Sequence, residues 1–189
     1  MTKIVFLGDS GTGKTCLIKR MLYDSFDNEL PTSVAAMNTM KFEDVLQNMH
    51  EIIIWDTAGS EQYQSLAPVF YRGSYLAIIV FSFDNIESYN RIGFWKEQFF
   101  SYVSDKEKVI IVGNKSDLSE RKVEEFDSNI LICDRTIQYI ECSAKEGTNA
   151  DTLKTLITDY VLEIEPRIKK LNPLTQPIVR NDTEQSKCC

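Results

Sequence analysis

Gly8-Asp9-Ser10-Gly11-Thr12-Gly13-Lys14-Thr15 stands between an apolar run at residues 4–7 and a helical candidate at 14–23. It fits the pattern G-x-x-x-x-G-K-[ST], with a strand before it and a helix after it, the setting in which that pattern has meaning. Glycines let the backbone curl until successive N–H groups point inward at phosphate oxygens, and a helix N-terminus adds favourable potential. Lys14 can reach the outer phosphates and the Thr15 hydroxyl can ligate Mg²⁺. The competing reading is a glycine-rich turn between strand and helix, and the strand–loop–helix context disfavours it. The motif points to a phosphate or nucleoside triphosphate and leaves the base open.

Outward from this stretch, short apolar runs recur at 52–55, 76–81, 109–112 and 139–140. They are too continuous for a half-exposed sheet and read as strands buried on both faces. Helical candidates lie between or after them at 86–103, 123–135 and 151–163. The last carries Leu153, Leu156, Ile157, Tyr160, Val161 and Ile164 at three- and four-residue spacing. Residues 39–45 read as an antiparallel edge strand, hairpinned through Gln47-Asn48 to 52–55. The expectation is an α/β fold: a mostly parallel six-stranded sheet, helices on both faces and one antiparallel edge strand. Ligands of such sheets bind beyond the carboxyl ends of the strands, where each motif of this chain falls. Regular patterning ends near Pro166, giving a domain over 1–165 and a flexible tail over 166–189.

The 189 residues are 43% hydrophobic and 26% charged, and the net charge of −7 argues against broad electrostatic binding to nucleic acid. The longest strong apolar run, 75–81, is far short of the ~18 residues that a spanning helix needs. The start, Met1-Thr2-Lys3-Ile4, lacks the layout of a signal peptide. Five cysteines, two of them Cys188 and Cys189, do not make a secreted disulfide framework, so a reducing intracellular setting is expected. Cys16, Cys133 and Cys142 read as small apolar packing groups, and the lone histidine, His50, as a solvent-facing hairpin residue.

Three further motifs follow strands. In Asp56-Thr57-Ala58-Gly59 a carboxylate can hold Mg²⁺ directly or through water, and Gly59 lets an N–H approach a terminal phosphate. Asn114-Lys115-Ser116-Asp117 addresses the base. A carboxylate can accept two hydrogen bonds from a purine edge only if the base offers N1–H and an N2 amine. Guanine does and adenine does not, and such pairing discriminates by orders of magnitude. Asn114 can brace the loop and the Lys115 stem can pack over the ring. Ser143-Ala144-Lys145 could offer the Ala144 N–H to the guanine oxygen.

With these motifs in order, residues 3–165 resemble the small Ras-like GTPases, and within them most closely the Rab family. The resemblance rests on Gly8-Asp9-Ser10-Gly11, Trp55-Asp56-Thr57-Ala58-Gly59, Tyr71-Arg72-Gly73, Gly113-Asn114-Lys115-Ser116-Asp117-Leu118 and the ending Lys187-Cys188-Cys189. It implies a P-loop NTPase G domain that binds GTP and GDP with Mg²⁺ and hydrolyses GTP. Nucleotide contacts are implied at Ser10, Gly11, Thr12, Gly13, Lys14, Thr15, Cys16, Phe26, Gly59, Asn114, Lys115, Asp117, Ser143, Ala144 and Lys145. Lys14, Gly59 and residue 60 would serve the chemistry. Metal contacts are implied at Thr15 and, through water, at Asp56. The family's switch threonine falls on Thr32 or on Ser33, depending on whether the hairpin carries one added residue.

The chain departs from the pattern after Gly59, where the family usually has a Gln that orients the attacking water and Ser60 stands here. A serine is too short to make that contact in the same place, so slow intrinsic hydrolysis is expected. The double-Cys ending resembles the one on which Rabs are geranylgeranylated, giving two lipids on Cys188 and Cys189. Around it the tail carries Arg167, Lys169, Lys170, Arg180 and Lys187 against Asp182 and Glu184, a net +3 suited to an anionic leaflet. The resemblance further implies effectors, an exchange factor and a GTPase-activating protein at the switch regions. It also implies an escort protein, a prenyltransferase and a GDP-dissociation inhibitor. The picture is a cytoplasmic monomer, peripheral on the cytoplasmic face of an intracellular membrane, in vesicle-mediated transport. Two competitors are a non-enzymatic GTP-binding scaffold, favoured by Ser60, and a P-loop kinase, which would need an Arg-rich lid that the sequence lacks.

Overall fold

The computed structural model describes residues 1–27, 35–59, 67–103, 108–126 and 137–171. The elements are β1 (Thr2–Leu7), α1 (Lys14–Tyr23), β2 (Ala35–Glu43), β3 (Met49–Thr57), α2 (Ala67–Tyr71), β4 (Ser74–Ser82), α3 (Ile86–Asn90), α4 (Ile92–Phe100), β5 (Lys108–Asn114), β6 (Ile137–Glu141) and α5 (Ala150–Leu171). The strands form one six-stranded sheet in the order β2-β3-β1-β4-β5-β6. Only β2 with β3 is antiparallel; β1, β3, β4, β5 and β6 run parallel, as the unbroken apolar runs predict.

Alternate side chains of one strand enter two different cores. Ile4 and Phe6 of β1 join Leu17, Ile18 and Met21 of α1 and Leu153, Ile157 and Val161 of α5 on one face. Val5 and Leu7 join Phe70 and Tyr71 of α2 and Ile92, Trp95 and Phe99 of α4 on the other. Burying each such side chain removes apolar area worth roughly 1.5–3 kcal/mol, and doing so on both faces demands the continuous runs. Of the spaced apolar residues in α5, five are buried and Leu156 is partly so. Among the described residues no helix is long and apolar enough to cross a membrane.

Three local expectations are corrected. The single helix over 86–103 is two, α3 and α4, broken at Arg91, whose φ of −91° and ψ of 2° belong to neither. Asn90 before the break and Gly93 after it are weak helix formers, and Asn85 caps only α3 by accepting from the Glu87 and Ser88 amides. Residues 123–126 are not helical; the Lys122 and Val123 amides donate to the Phe83 carbonyl instead, at 2.7 and 3.2 Å. The remainder of that expected helix, with Cys133, lies outside the described residues. Helix α5 also passes Pro166 and ends at Leu171. Pro166 is exposed, so the carbonyl freed by its missing N–H can turn to water.

His50 is the fourth correction. It is 9% exposed, not solvent-facing. Its Nδ1 lies 2.9 Å from Glu165 Oε1 on α5 and its Nε2 lies 3.1 Å from Asp44 Oδ2 in the β2–β3 turn, while Phe42 stacks on its ring at 5.0 Å. A neutral imidazole has one N–H, so two carboxylate partners favour the cation, and the hydrogen bond to Glu165 raises its pKa above the usual value. A raised folded-state pKa stabilises the fold fully below the unfolded value of about 6.5 and loses that contribution as pH rises through the folded value. Replacing His50 with Gln is therefore expected to cost about 1–3 kcal/mol at about pH 6 and much less at about pH 9. Urea denaturation of both proteins at the two pH values measures this; an equal cost at both would contradict it.

Candidate nucleotide-binding site

The loops after β1, β3, β4, β5 and β6 gather at one edge of the sheet, because parallel strands deliver their C-terminal ends to the same side. The loop from Gly8 to Gly13 curls over the start of α1. Gly13 has φ +88°, and a Cβ there would lie 2.4 Å from Asn114 Nδ2, so conformation and space both require glycine. Lys14 is 5% exposed and its Nζ donates to the carbonyls of Gly8 and Asp9, each at 2.8 Å, which places the ammonium inside the loop. Burial brings its pKa down to about 8, with Asp56 and Asp9 pulling it back up. At neutral pH it remains largely a cation in a pocket that favours an anion.

Two oxygen groups face each other beside it. The Thr15 hydroxyl donates to Asp56 Oδ2 at 2.7 Å, and Asp56 is 1% exposed. A hydroxyl and a carboxylate are hard oxygen donors of the kind Mg²⁺ selects, so the donor chemistry of the pair fits that ion. Gly59 meets the loop directly: its carbonyl accepts from the Ser10 amide at 3.2 Å, and a Cβ on it would lie 2.2 Å from Asp9 C and Ser10 N. Cys16, half-buried on α1, packs against the core and its thiol sits 3.6 Å from the Asp27 carbonyl. Phe26 is likewise half-buried against that core. Thr32, Ser33 and Ser60 lie outside the described residues, as do Cys188 and Cys189.

At the other end, three motifs meet through Asn114, which is 1% exposed. Its Nδ2 donates to the Thr12 carbonyl at 2.8 Å and its Oδ1 accepts from the Ala144 amide at 3.1 Å. One side chain therefore ties the phosphate loop to the loop after β6. The Ser143 hydroxyl donates to Asp117 Oδ1 at 2.6 Å and accepts from the Glu146 amide at 3.0 Å, which orients the carboxylate expected to read the base. Lys115 holds φ +63° and pairs its Nζ with Asp84 Oδ2 at 2.8 Å. Burial pulls Asp84 upward, but hydrogen bonds from Lys115 and Ser82 outweigh it and leave its pKa below the usual value.

Several residues that build this edge were not singled out by motif. Arg20 on α1 donates to the Ala144 and Lys145 carbonyls, each at 2.8 Å. Trp95 Nε1 donates to Asp9 Oδ1 at 2.8 Å, and Arg91 Nε lies 3.4 Å from the same atom, so α4 holds the phosphate loop from its far side. A cleft of about 400 Å³ opens beside the loop, lined in part by Ser10, Gly11, Asp84, Lys115 and Lys122. The four-residue spacing of Arg91, which caps α4, and Trp95 within it is the sequence signal that pairs them.

The Ras family profile matches residues 3–163 of the chain. Ras-related protein Rab7 of Cenchrus ciliaris is 33% identical over 202 residues, covering 100% of this chain and 97% of that protein. Ras-related protein Rab-9A of Homo sapiens is 34% identical over 193 residues, covering 99% and 96%. Ras-related protein Rab-22A of Mus musculus is 34% identical over 167 residues, covering 88% and 82%.

Replacing Asn114 with Ala strands a buried carbonyl at Thr12 and a buried N–H at Ala144. A loss of about 2–4 kcal/mol in unfolding free energy is expected, one to two buried polar groups' worth. Chemical denaturation measures it, and a loss under about 0.5 kcal/mol would remove Asn114 from its bracing role.

Proposed function

Since the chain belongs to the Ras family, as a Rab-like, GTP-binding small GTPase, we propose that it works as a membrane-trafficking switch with slow intrinsic hydrolysis. In this reading Ser10, Gly11, Thr12, Gly13, Lys14, Thr15 and Cys16 surround the phosphates. Gly59 turns its N–H toward the terminal phosphate. Phe26, Asn114, Lys115, Asp117, Ser143, Ala144 and Lys145 enclose guanine. Thr15, Asp56 through water, and Thr32 or Ser33 hold Mg²⁺, which when bound neutralises charge on the β- and γ-phosphates. The observation that carries the reading is the Asn114 side chain, which makes one site of the phosphate loop and the base loop.

Phosphoryl transfer asks the protein for position and charge more than for covalent chemistry. Lys14 supplies a buried positive charge, and Gly59 supplies a backbone donor held against Ser10. What the chain lacks is a long amide after Gly59 to orient the attacking water, since Ser60 stands there. The GTP form then persists until an activating protein supplies the missing group. Single-turnover hydrolysis with the Ser60→Gln variant is expected to run about tenfold or more faster than wild type. Equal rates would overturn the proposal.

The effector, exchange-factor and activating-protein contacts belong to the switch regions, the segment after Phe26 that carries Thr32 and Ser33 and the segment after Gly59 that begins with Ser60. An escort protein, a prenyltransferase and a GDP-dissociation inhibitor follow from the double-cysteine ending. Two isoprenoid chains on Cys188 and Cys189 supply the two signals that stable anchoring needs. They place a monomer on the cytoplasmic face of an intracellular membrane. Mass spectrometry of the protein from its own cells is expected to find both thiols carrying geranylgeranyl groups; two free thiols would overturn the anchoring.

A further inference from the structure

The edge of the sheet opposite the nucleotide site carries apolar side chains that the fold leaves uncovered. Strand β3 ends at Thr57, on the nucleotide edge, so the β2–β3 turn that feeds its other end lies at the opposite edge. Val45 in that turn is 99% exposed, Leu46 76% and Met49 66%. Single exposed apolar residues are ordinary, but two in one turn and a third at the strand start beside it call for a partner.

The turn is held firmly. Asp44 Oδ1 accepts from the Leu46 and Asn48 amides at 2.8 Å each, Asn48 Nδ2 donates to Asp44 Oδ2 at 2.9 Å, and Gln47 takes φ +65°. Several nearby carboxylates have basic partners within the protein. Asp44 and Glu165 both bind His50, Glu163 pairs with Lys108 at 2.7 Å, and Glu51 lies 3.7 Å from Lys41. Glu43, exposed at the base of the turn, marks its polar rim.

The partner is indicated by where the chain leaves the domain. Helix α5 follows β6, starts on the nucleotide edge and runs back, so that Glu165 reaches His50 and Leu171 ends the helix on the far edge. The helix therefore ends on the side that presents Val45 and Leu46, and Cys188 and Cys189 follow it in sequence.

We propose that Val45, Leu46 and Met49 form a lipid-contacting tip, which enters the headgroup–acyl boundary of the bilayer that anchors the tail and turns the nucleotide edge toward the cytosol. The inference rests on the reading of the tail as a membrane anchor. It deepens that reading by giving the anchored domain one orientation. Side chains of this kind insert by the apolar area they bury, and rigidity of the turn means that little conformational entropy is lost on insertion.

The full chain, with a hexahistidine tag after Cys189, is held on phosphatidylcholine vesicles containing a nickel-chelating lipid, so that tethering does not depend on cellular lipidation. Photo-reactive p-benzoylphenylalanine replaces Leu46, or, as control, Met37, which is 61% exposed but pairs with Trp55 nearer the nucleotide edge. Lipid adducts from position 46 are expected to exceed those from position 37 about tenfold, as burial of one and not the other predicts. Equal yields overturn the tip, as do adducts with a protein alone when native membranes replace the vesicles. In protein lipidated on both terminal cysteines, Val45→Ser with Leu46→Ser is expected to speed transfer between vesicles about tenfold, and unchanged transfer overturns it. Failure of the anchoring reading instead appears as free thiols in the native protein, with the tethered cross-link at position 46 intact.

Discussion

The nucleotide edge depends on one side-chain amide. Asn114 stands at the end of β5, next to a sheet whose strands are buried on both faces, and its carboxamide has no water to fall back on. It satisfies both ends by joining Thr12 to Ala144, two segments more than a hundred residues apart in sequence. An amide in this position is both donor and acceptor, which neither Asp nor Leu of similar size can be. The phosphate loop and the base loop therefore keep a fixed separation. That fixed separation is what the proposed reading uses, with phosphate at one end and base at the other.

The sheet carries this geometry because its order is legible in hydrophobicity alone. Ile4-Val5-Phe6-Leu7 cannot be an amphipathic strand, since consecutive side chains enter the α1/α5 core and the α2/α4 core in turn. The phosphate motif was equally legible, because its glycines are required by conformation and by contact. What sequence could not display is pairing across long separation. His50 looked like a hairpin polar residue because its partner Glu165 is 115 positions away. Arg20, Asp84 and Trp95 belong to no motif, yet they orient the loops that do. Helix breaks were illegible for a different reason: Arg91 turns where weak helix formers flank it and where its guanidinium can approach Asp9 and stack over Phe94 and Trp95, at 5.0 and 5.6 Å.

Electrostatics at the phosphate end follow from burial. Lys14 sits where a free ammonium is costly, and its two loop carbonyls with Asp56 and Asp9 keep it charged. In the proposed reading an incoming phosphate would compete with these carbonyls for the Lys14 N–H groups. Trp95 and Arg91 hold the Asp9 side chain, while the Asp9 carbonyl accepts from Lys14.

Strand β3 joins the two edges of the molecule. Its last residues, Asp56 and Thr57, meet the phosphate loop and, through the Thr57 hydroxyl, the Phe6 carbonyl at 2.7 Å. Its second residue, His50, is clamped between the hairpin turn and α5. A strand hydrogen-bonded on both sides transmits little by bending, so β3 acts as a spacer that fixes distance and direction between the two ends. The consequence is a division of labour set by topology. In the proposed reading, residues that answer to the nucleotide collect where parallel strands end, and residues that would set orientation collect where they begin. Nucleotide state could then change at one edge while the other keeps one face toward the membrane.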